Sequence, residues 1–489
     1  MEADSIDGLG PMPSPRVENF RDWVEPTRVL EVIRAMPHPA LLLSGLPGHT
    51  ASRFSILAWS PEKVVTFAAG RVRVDRYFDD GRTREPERIA DPFLLLRTIV
   101  AANRVEKLPG IPFAGGAIGY LGYGMRHYVE SLPSGPPDPV GAHDLWFGIY
   151  DAAIVFDHAE RRIALVAGGS DAGDRGLRSA RATARLLDFR ARLEQARDIG
   201  DGPPGRAPAG RAGQAVARTP QAEYRRSIER ALGYIASGDV YQVNLSHRIQ
   251  CPFAGDPIDL FLDLARDNPA PFAAYLDTGR IRVISASPER FLSLHGGRAS
   301  SSPIKGTRPR GATPDQEGRL VEELLGSAKD RAENVMIADL VRNDLGRVCE
   351  PGSVHVEKLC ALETFATVHH LVSTISGRPR VDRDRIDLMR ALFPGGSMTG
   401  APKVRAMEVI DELEREERGI YSGSIGYLSF DGGMDLNIVI RTILCAEGSA
   451  HLRVGGGIVA DSDPEAEYRE TLDKAHALLR ALNVRLGSA

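Results

Sequence analysis

Apolar positions recur along this chain with two different periods. Tyr224, Ile228, Leu232 and Ile235 fall at helical spacing. Thr219 predicts the N-cap of that helix, Pro220 its first position and Gly238 its stop. Directly after it, residues 240–249 alternate. Tyr241, Val243, Leu245 and Ile249 share one face; Gln242, Asn244, Ser246 and Arg248 share the other. One face meets a core, and the polar face meets either water or a polar pocket. Short apolar runs at 40–43, 118–120, 146–156 and 163–166 predict strands, and 175–197 a helix. Further on, two strands bracket the turn His295-Gly296-Gly297, a helical region at 315–344 is interrupted near Gly326, and a last helix covers 465–482. Hairpins mixed with helices predict an α+β fold rather than a repeated parallel array.

One stretch breaks the pattern. Residues 198–219 hold almost no large apolar side chain, so they bury too little to offset their ordering entropy. They predict a flexible linker between an N-terminal region, 1–197, and a second region, 220–489. The first carries no cluster of chemistry-bearing residues and reads as scaffold.

Composition narrows the function classes. With 61 basic and 65 acidic side chains in 489 residues, the net charge of −4 leaves no footprint for nucleic acid or an anionic membrane. The apolar runs are too short to span a bilayer and no secretory leader is expected. Cys251, Cys349, Cys360 and Cys445 are scattered without a CxxC pair, which fits a reducing, cytoplasmic setting.

Three features could carry chemistry. Lys305 sits in Pro303-Ile304-Lys305-Gly306-Thr307-Arg308-Pro309-Arg310, where flanking proline and glycine stiffen the backbone. A lysine held this way can be desolvated and made neutral, and then act as a nucleophile. Asp330 and Glu333 are spaced three apart on a predicted helix, as are Glu467 and Glu470. Each pair is either a solvated face or a site for a hard cation such as Mg²⁺. The second pair follows Val454-Gly455-Gly456-Gly457-Ile458, a glycine run that is either a simple turn or a place where backbone amides approach an anion.

Ordered motifs tie these features together. They are Gly238-Asp239-Val240-Tyr241-Gln242-Val243-Asn244-Leu245, Ser287-Pro288-Glu289-Arg290-Phe291, the Lys305 segment and Arg342-Asn343-Asp344-Leu345-Gly346-Arg347. Pro394-Gly395-Gly396-Ser397-Met398-Thr399-Gly400-Ala401-Pro402-Lys403 and Tyr421-Ser422-Gly423-Ser424-Ile425-Gly426-Tyr427 complete the set. From about 220 to 482 the chain resembles the chorismate-utilising enzymes, which include the anthranilate, aminodeoxychorismate, isochorismate and salicylate synthases. Arg53-Phe54-Ser55-Ile56 and 116–124 resemble the family more loosely. The resemblance implies a four-layer α/β/β/α sandwich with mostly antiparallel sheets and chorismate between them.

By motif position it implies Glu333 and Glu470 as direct Mg²⁺ ligands, with Asp330 and Glu467 behind them. Tyr421 and Arg441 would hold the enolpyruvyl carboxylate, and Gly306, Thr307, Gly455 and Gly457 would contact the substrate. Gln242 stands where water-using members carry a lysine base; an amide cannot deprotonate water, which points to ammonia as nucleophile. Lys305 stands where aminodeoxychorismate-forming members carry lysine and anthranilate-forming members carry alanine. It would attack C2 and expel the C4 hydroxyl, after which ammonia attacks C4 and expels the lysine. Glu289 resembles the family's general acid/base. His370 matches a histidine near the ring, for polarisation, proton transfer or simple pocket hydrogen bonding.

None of the cysteines lies in a Gly-x-Cys-x-Gly turn, so a separate glutamine amidotransferase subunit is implied as the ammonia source. The product would serve p-aminobenzoate and folate synthesis. Anthranilate formation is the rival reaction, and a non-catalytic chorismate-binding subunit the more distant one. In feedback-inhibited anthranilate synthases a Leu-Leu-Glu-Ser segment binds tryptophan. Here Leu41-Leu42-Leu43-Ser44 lacks the acid, so tryptophan feedback is not expected.

Overall fold

A computed structural model describes residues 13–487, apart from 47, 50, 79–80, 85–87, 90, 134, 170–174, 200–212 and 366–367. Most of the expected linker lies outside the described residues. Its C-terminal end does not behave as a linker. Gly213–Ala217 is a strand, paired antiparallel with Gln242–Pro252 and parallel with Val484–Leu486. Ladder hydrogen bonds on both sides and the buried Ala215 hold it in place, so large side chains are not needed.

Two sheets of thirteen strands face each other. Every strand pair is antiparallel except the one just named. A core containing Ile56, Val155, Ile118, Tyr120 and Trp146 fills the space between the sheets. On one outer face lie helices carrying Leu30, Phe189, Leu264 and Leu478. On the other lie helices carrying Phe93, Val341, Leu345 and Leu388. The layers are therefore α/β/β/α. Both sheets run through strands from before residue 198 and strands from after 213. Ala40–Leu43 pairs with Phe272–Asp277 in one sheet, and Gly116–Leu121 pairs with Ser424–Ser429 in the other.

The run at 146–156 is two strands, not one. Leu145–Tyr150 belongs to one sheet and Ala152–Asp157 to the other, and every residue of both is buried. A strand covered on both faces loses its alternation, so a single charged residue, Asp151, is the one mark of the crossing in this apolar run.

The helix after the linker spans Gln221–Ala236, with Pro220 at the N-cap and no side-chain cap, one residue later than expected. Gly238 closes it at φ +81°. The following strand is Gln242–Pro252, and Tyr241 precedes it at 72% exposure rather than joining its apolar face. The polar face does not meet water: Gln242, Asn244, Ser246 and Arg248 are all buried. The break expected near Gly326 separates helices Pro314–Gly326 and Ala328–Gly346.

Candidate active site

The predicted site residues converge at one end of the space between the sheets. One sheet supplies Gln242 and the glycines of Ser449–Ile458, with Arg441 just ahead of Thr442–Ala446. The other supplies Lys305, Gly306 and Thr307 on its edge strand Ile304–Pro309, with His370 on the neighbouring Val368–Gly377. Helix Ala328–Gly346 brings Asp330 and Glu333, and helix Pro464–Ala481 brings Glu467 and Glu470. Glu289 lies where the chain passes from Arg282–Ser287 in one sheet to Arg290–His295 in the other.

Lys305 sits on a strand interrupted by a bulge, since Lys305 pairs with Leu371 and Thr307 with His370, leaving Gly306 as the extra residue. Gly306 has φ +84°, and a methyl group there would come within 2.9 Å of Asp330 Cβ. Glycine therefore permits both the bulge and the close approach of the acid-bearing helix. The bulge leaves the Lys305 side chain only 12% exposed, with Nζ 3.6 Å from a Glu333 oxygen. Gly457 faces it from the opposite sheet. A methyl group at Gly457 would lie 2.7 Å from Lys305 Nζ and 2.9 Å from Gln242 Nε2. The lysine points into the cleft, not into solvent.

The acids are interleaved with cations. Glu470 pairs with Lys474 at 2.6 Å, and Lys474 also donates to the Gly455 carbonyl at 3.0 Å. Lys474 is the main reason that the Glu470 carboxyl sits below its ordinary range, with Lys305 and Lys329 contributing less. Glu467, one turn earlier, is shifted the other way: burial raises it, Ser462 opposes this through a 2.6 Å hydrogen bond, and the Glu470 charge adds to the rise. Asp330 pairs with Arg308 at 3.3 Å, and Glu467 with Lys329 at 3.6 Å. Among the described residues no three His, Cys, Asp or Glu side chains stand in a metal-holding arrangement.

Several polar groups in the cleft have no protein partner. Both amide atoms of Gln242 are buried without a hydrogen bond among the described residues, as is Nε2 of His370. The other ring nitrogen of His370 meets Thr307 Oγ1 at 2.8 Å and the Gly306 carbonyl at 3.4 Å. Burial pushes this imidazole down to about 3, aided by Arg441, so it is neutral. Arg441 is held at φ +52° with no acid partner among the described residues, and burial lowers its pKa against the pull of Tyr421. Unpaired buried donors and a lone guanidinium are costly unless an anionic ligand completes them.

Glu289 is 4% exposed, and burial pushes its carboxyl up to about 7, against hydrogen bonds from Ser397 and Ile304 and the nearby Lys305 charge. A carboxyl with that value exchanges protons near neutrality, as a general acid/base must.

A cavity of about 430 Å³ lies elsewhere. It is lined by Leu42, Leu43, Ser44, Arg53, Phe54 and Tyr427 among others, and none of the predicted site residues borders it. The Leu41–Ser44 segment reaches this cavity, which Lys305 does not border.

Comparison with known proteins decides the family. The model for chorismate binding enzymes matches residues 40–480. The chain belongs to the chorismate-binding enzymes. Aminodeoxychorismate synthase component 1 of Salmonella typhimurium is 41% identical over 453 residues, covering 92% of this chain and 94% of that one. Anthranilate synthase component 1 of Thermus thermophilus is 40% identical over 445 residues, covering 91% and 92%. The crystal structure of anthranilate synthase component I from Streptococcus pneumoniae superposes with a TM-score of 0.75 at 32% identity, covering 88% of this chain and 92% of that one. Members with either name are thus equally similar, so overall similarity does not separate the two reactions.

Sequence reasoning missed some groups in this chorismate-binding fold. Lys474 stands four residues after Glu470, the spacing of a helical ion pair, and that signal was available. Ser397 lies inside the motif Pro394–Lys403, but only the fold shows that its hydroxyl reaches Glu289, at 2.7 Å. No helix among the described residues is long and apolar enough to cross a membrane.

Proposed function

We propose that this protein aminates chorismate at C4, giving 4-amino-4-deoxychorismate from ammonia delivered by a separate glutamine amidotransferase subunit. The observation that carries this reading is Lys305, an amine only 12% exposed and directed between Glu333 and Gly457. An alanine there could not form the first bond. The enolpyruvyl carboxylate would meet Arg441 and Tyr421. Gln242 would take part in hydrogen bonding without activating water, and Gly455, Gly457, Gly306 and Thr307 would line the ring. The words "component 1" in the names of the relatives support a second subunit. A lyase would then convert the product to p-aminobenzoate for folate.

In the reaction, Lys305 Nζ bonds to C2 as both ring double bonds shift by one position and the C4–O bond breaks. Glu289 gives its proton to the departing hydroxyl, which leaves as water. Ammonia then bonds to C4, both double bonds shift back, Lys305 departs from C2 as the neutral amine, and the extra proton on the new C4 nitrogen returns to Glu289. Neutral His370, with Nε2 free, can accept a hydrogen bond beside the ring but cannot supply a full positive charge.

Mg²⁺ fits the chemistry of the donor set: Glu333 and Glu470 offer carboxylate oxygens, with Asp330 and Glu467 adjoining, and Lys305, Lys329 and Lys474 mark the same place as favourable to cations. When bound, the ion would neutralise the ring carboxylate.

The competing reading, anthranilate formation, draws on the relatives of that name. Incubation with chorismate, Mg²⁺ and ammonium, followed by mass identification, tests the choice. 4-Amino-4-deoxychorismate without pyruvate is expected; anthranilate with pyruvate would overturn the proposal.

A further inference from the structure

Among the described residues Glu289 is the one carboxyl of the cleft without an ion pair; Glu333, Asp330, Glu467 and Glu470 each face a lysine or arginine, whereas Glu289 is held by hydrogen bonds. Both of its side-chain donors reach the same oxygen. Ser397 Oγ donates to Oε1 at 2.7 Å, and the Ile304 amide donates to Oε1 at 3.4 Å. The backbone around it is also fixed. Glu289 N–H donates to Ser287 Oγ at 3.3 Å, and the Ile438 amide donates to the Glu289 carbonyl at 3.0 Å. Ser397 in turn lies on the short helical turn Gly396–Met398, buried at 7% exposure. The carbonyl of Met398 accepts from the buried Arg418 at 2.8 Å, which anchors that turn to the interior.

We infer that Ser397 is a positioning residue for Glu289: it makes Oε1 the accepting oxygen, so that Oε2 carries the proton delivered to the leaving hydroxyl. A protonated carboxyl has one O–H and one acceptor oxygen. With two donors aimed at Oε1, the acceptor role is taken there and the O–H belongs on Oε2. After the proton leaves, Ser397 still donates to Oε1 and stabilises the new carboxylate. The inference rests on the general-acid role proposed for Glu289. The other charged groups near this carboxyl are Lys305 on the neighbouring strand and, across a small void, Asp344, paired with Lys403 at 2.6 Å. Arg290, the next residue, is occupied by Asp435 at 2.9 Å.

The test uses the full chain with chorismate, Mg²⁺ and ammonium. Ser397→Ala should lower kcat by roughly ten- to a hundredfold and leave KM within about twofold. With free ammonia held constant, the alkaline limb of its pH profile should move upward, because a hydrogen bond favouring the carboxylate is lost. Ser397→Thr, which keeps the hydroxyl, should recover most of the rate. In a Glu289→Gln background, Ser397→Ala should cost less than about twofold, since the group it acts through is gone. An equal loss in both backgrounds, a loss confined to KM, or an unmoved alkaline limb would overturn the inference. A Glu289→Gln variant with full activity would instead refute the general-acid reading. Where Ser397→Ala does not fold, judged by its thermal transition, Ser397→Cys supplies the same three readouts with a weaker donor of similar shape.

Discussion

Two buried glutamates in this molecule are handled in opposite ways. Glu414 is gripped by Arg418 at 2.6 Å and Arg453 at 2.9 Å and accepts from Ser246 Oγ at 2.9 Å. Burial alone would raise its pKa, but the two guanidinium groups more than offset that and hold it below the ordinary range. Glu289 has only a hydroxyl, an amide and a more distant lysine, and burial wins, at about 7. Burial by itself therefore does not mark a catalytic acid. The number of full charges facing it decides whether a buried carboxylate is a permanent structural ion or a proton carrier. The two regions are also joined, because Arg418 holds the Met398 carbonyl and the adjacent Ser397 holds Glu289.

Lys305→Ala should leave no detectable 4-amino-4-deoxychorismate by mass spectrometry while the thermal transition stays near that of the parent, since its side chain meets a polar cleft rather than an apolar core. Glu289→Gln should lower the rate by roughly 10²–10⁴-fold without loss of stability. With free ammonia held constant, the parent's pH–rate profile should carry an alkaline limb where Glu289 loses its proton, near pH 7, and Glu289→Gln should lack that limb; the same limb in the variant would break the assignment. The identical change at the other site, Glu414→Gln, should cost about 3–5 kcal/mol of unfolding free energy in a urea titration, because it leaves Arg418 and Arg453 buried without their acid. Should the two substitutions trade effects, the contrast fails. Glu333→Gln should raise the magnesium concentration for half-maximal rate by about tenfold or more, and an unchanged titration would remove it from the cation site. Added tryptophan should change the rate least of all, since Leu43 offers no acid to an ammonium group where Leu41–Ser44 meets the large cavity.

Much of the site was legible because its chemistry is local. Lys305 and Gly306 are neighbours in sequence, and the acid pairs recur at helical spacing, so short motifs announce them. The bulge that turns Lys305 inward was not legible, because it depends on pairing with Leu371 and His370 more than sixty residues away. The alternation at 240–249 located a strand but not the fate of its polar face, where Ser246 meets Glu414 and Arg248 meets Glu416 from the segment after helix Lys403–Leu413. The chain's crossing at Asp151 was marked by that one charged residue alone, because both strands beside it are buried on both faces and show no alternation. The strand Gly213–Ala217 was hidden because its partners, not its own side chains, stabilise it.

The most direct measurement is to quench the enzyme after incubation with chorismate and Mg²⁺ but no ammonium, and to map its peptides by mass. The peptide bearing Lys305 should gain the mass of chorismate less one water. An unmodified Lys305 peptide, in a preparation that makes 4-amino-4-deoxychorismate once ammonium is added, would contradict the account.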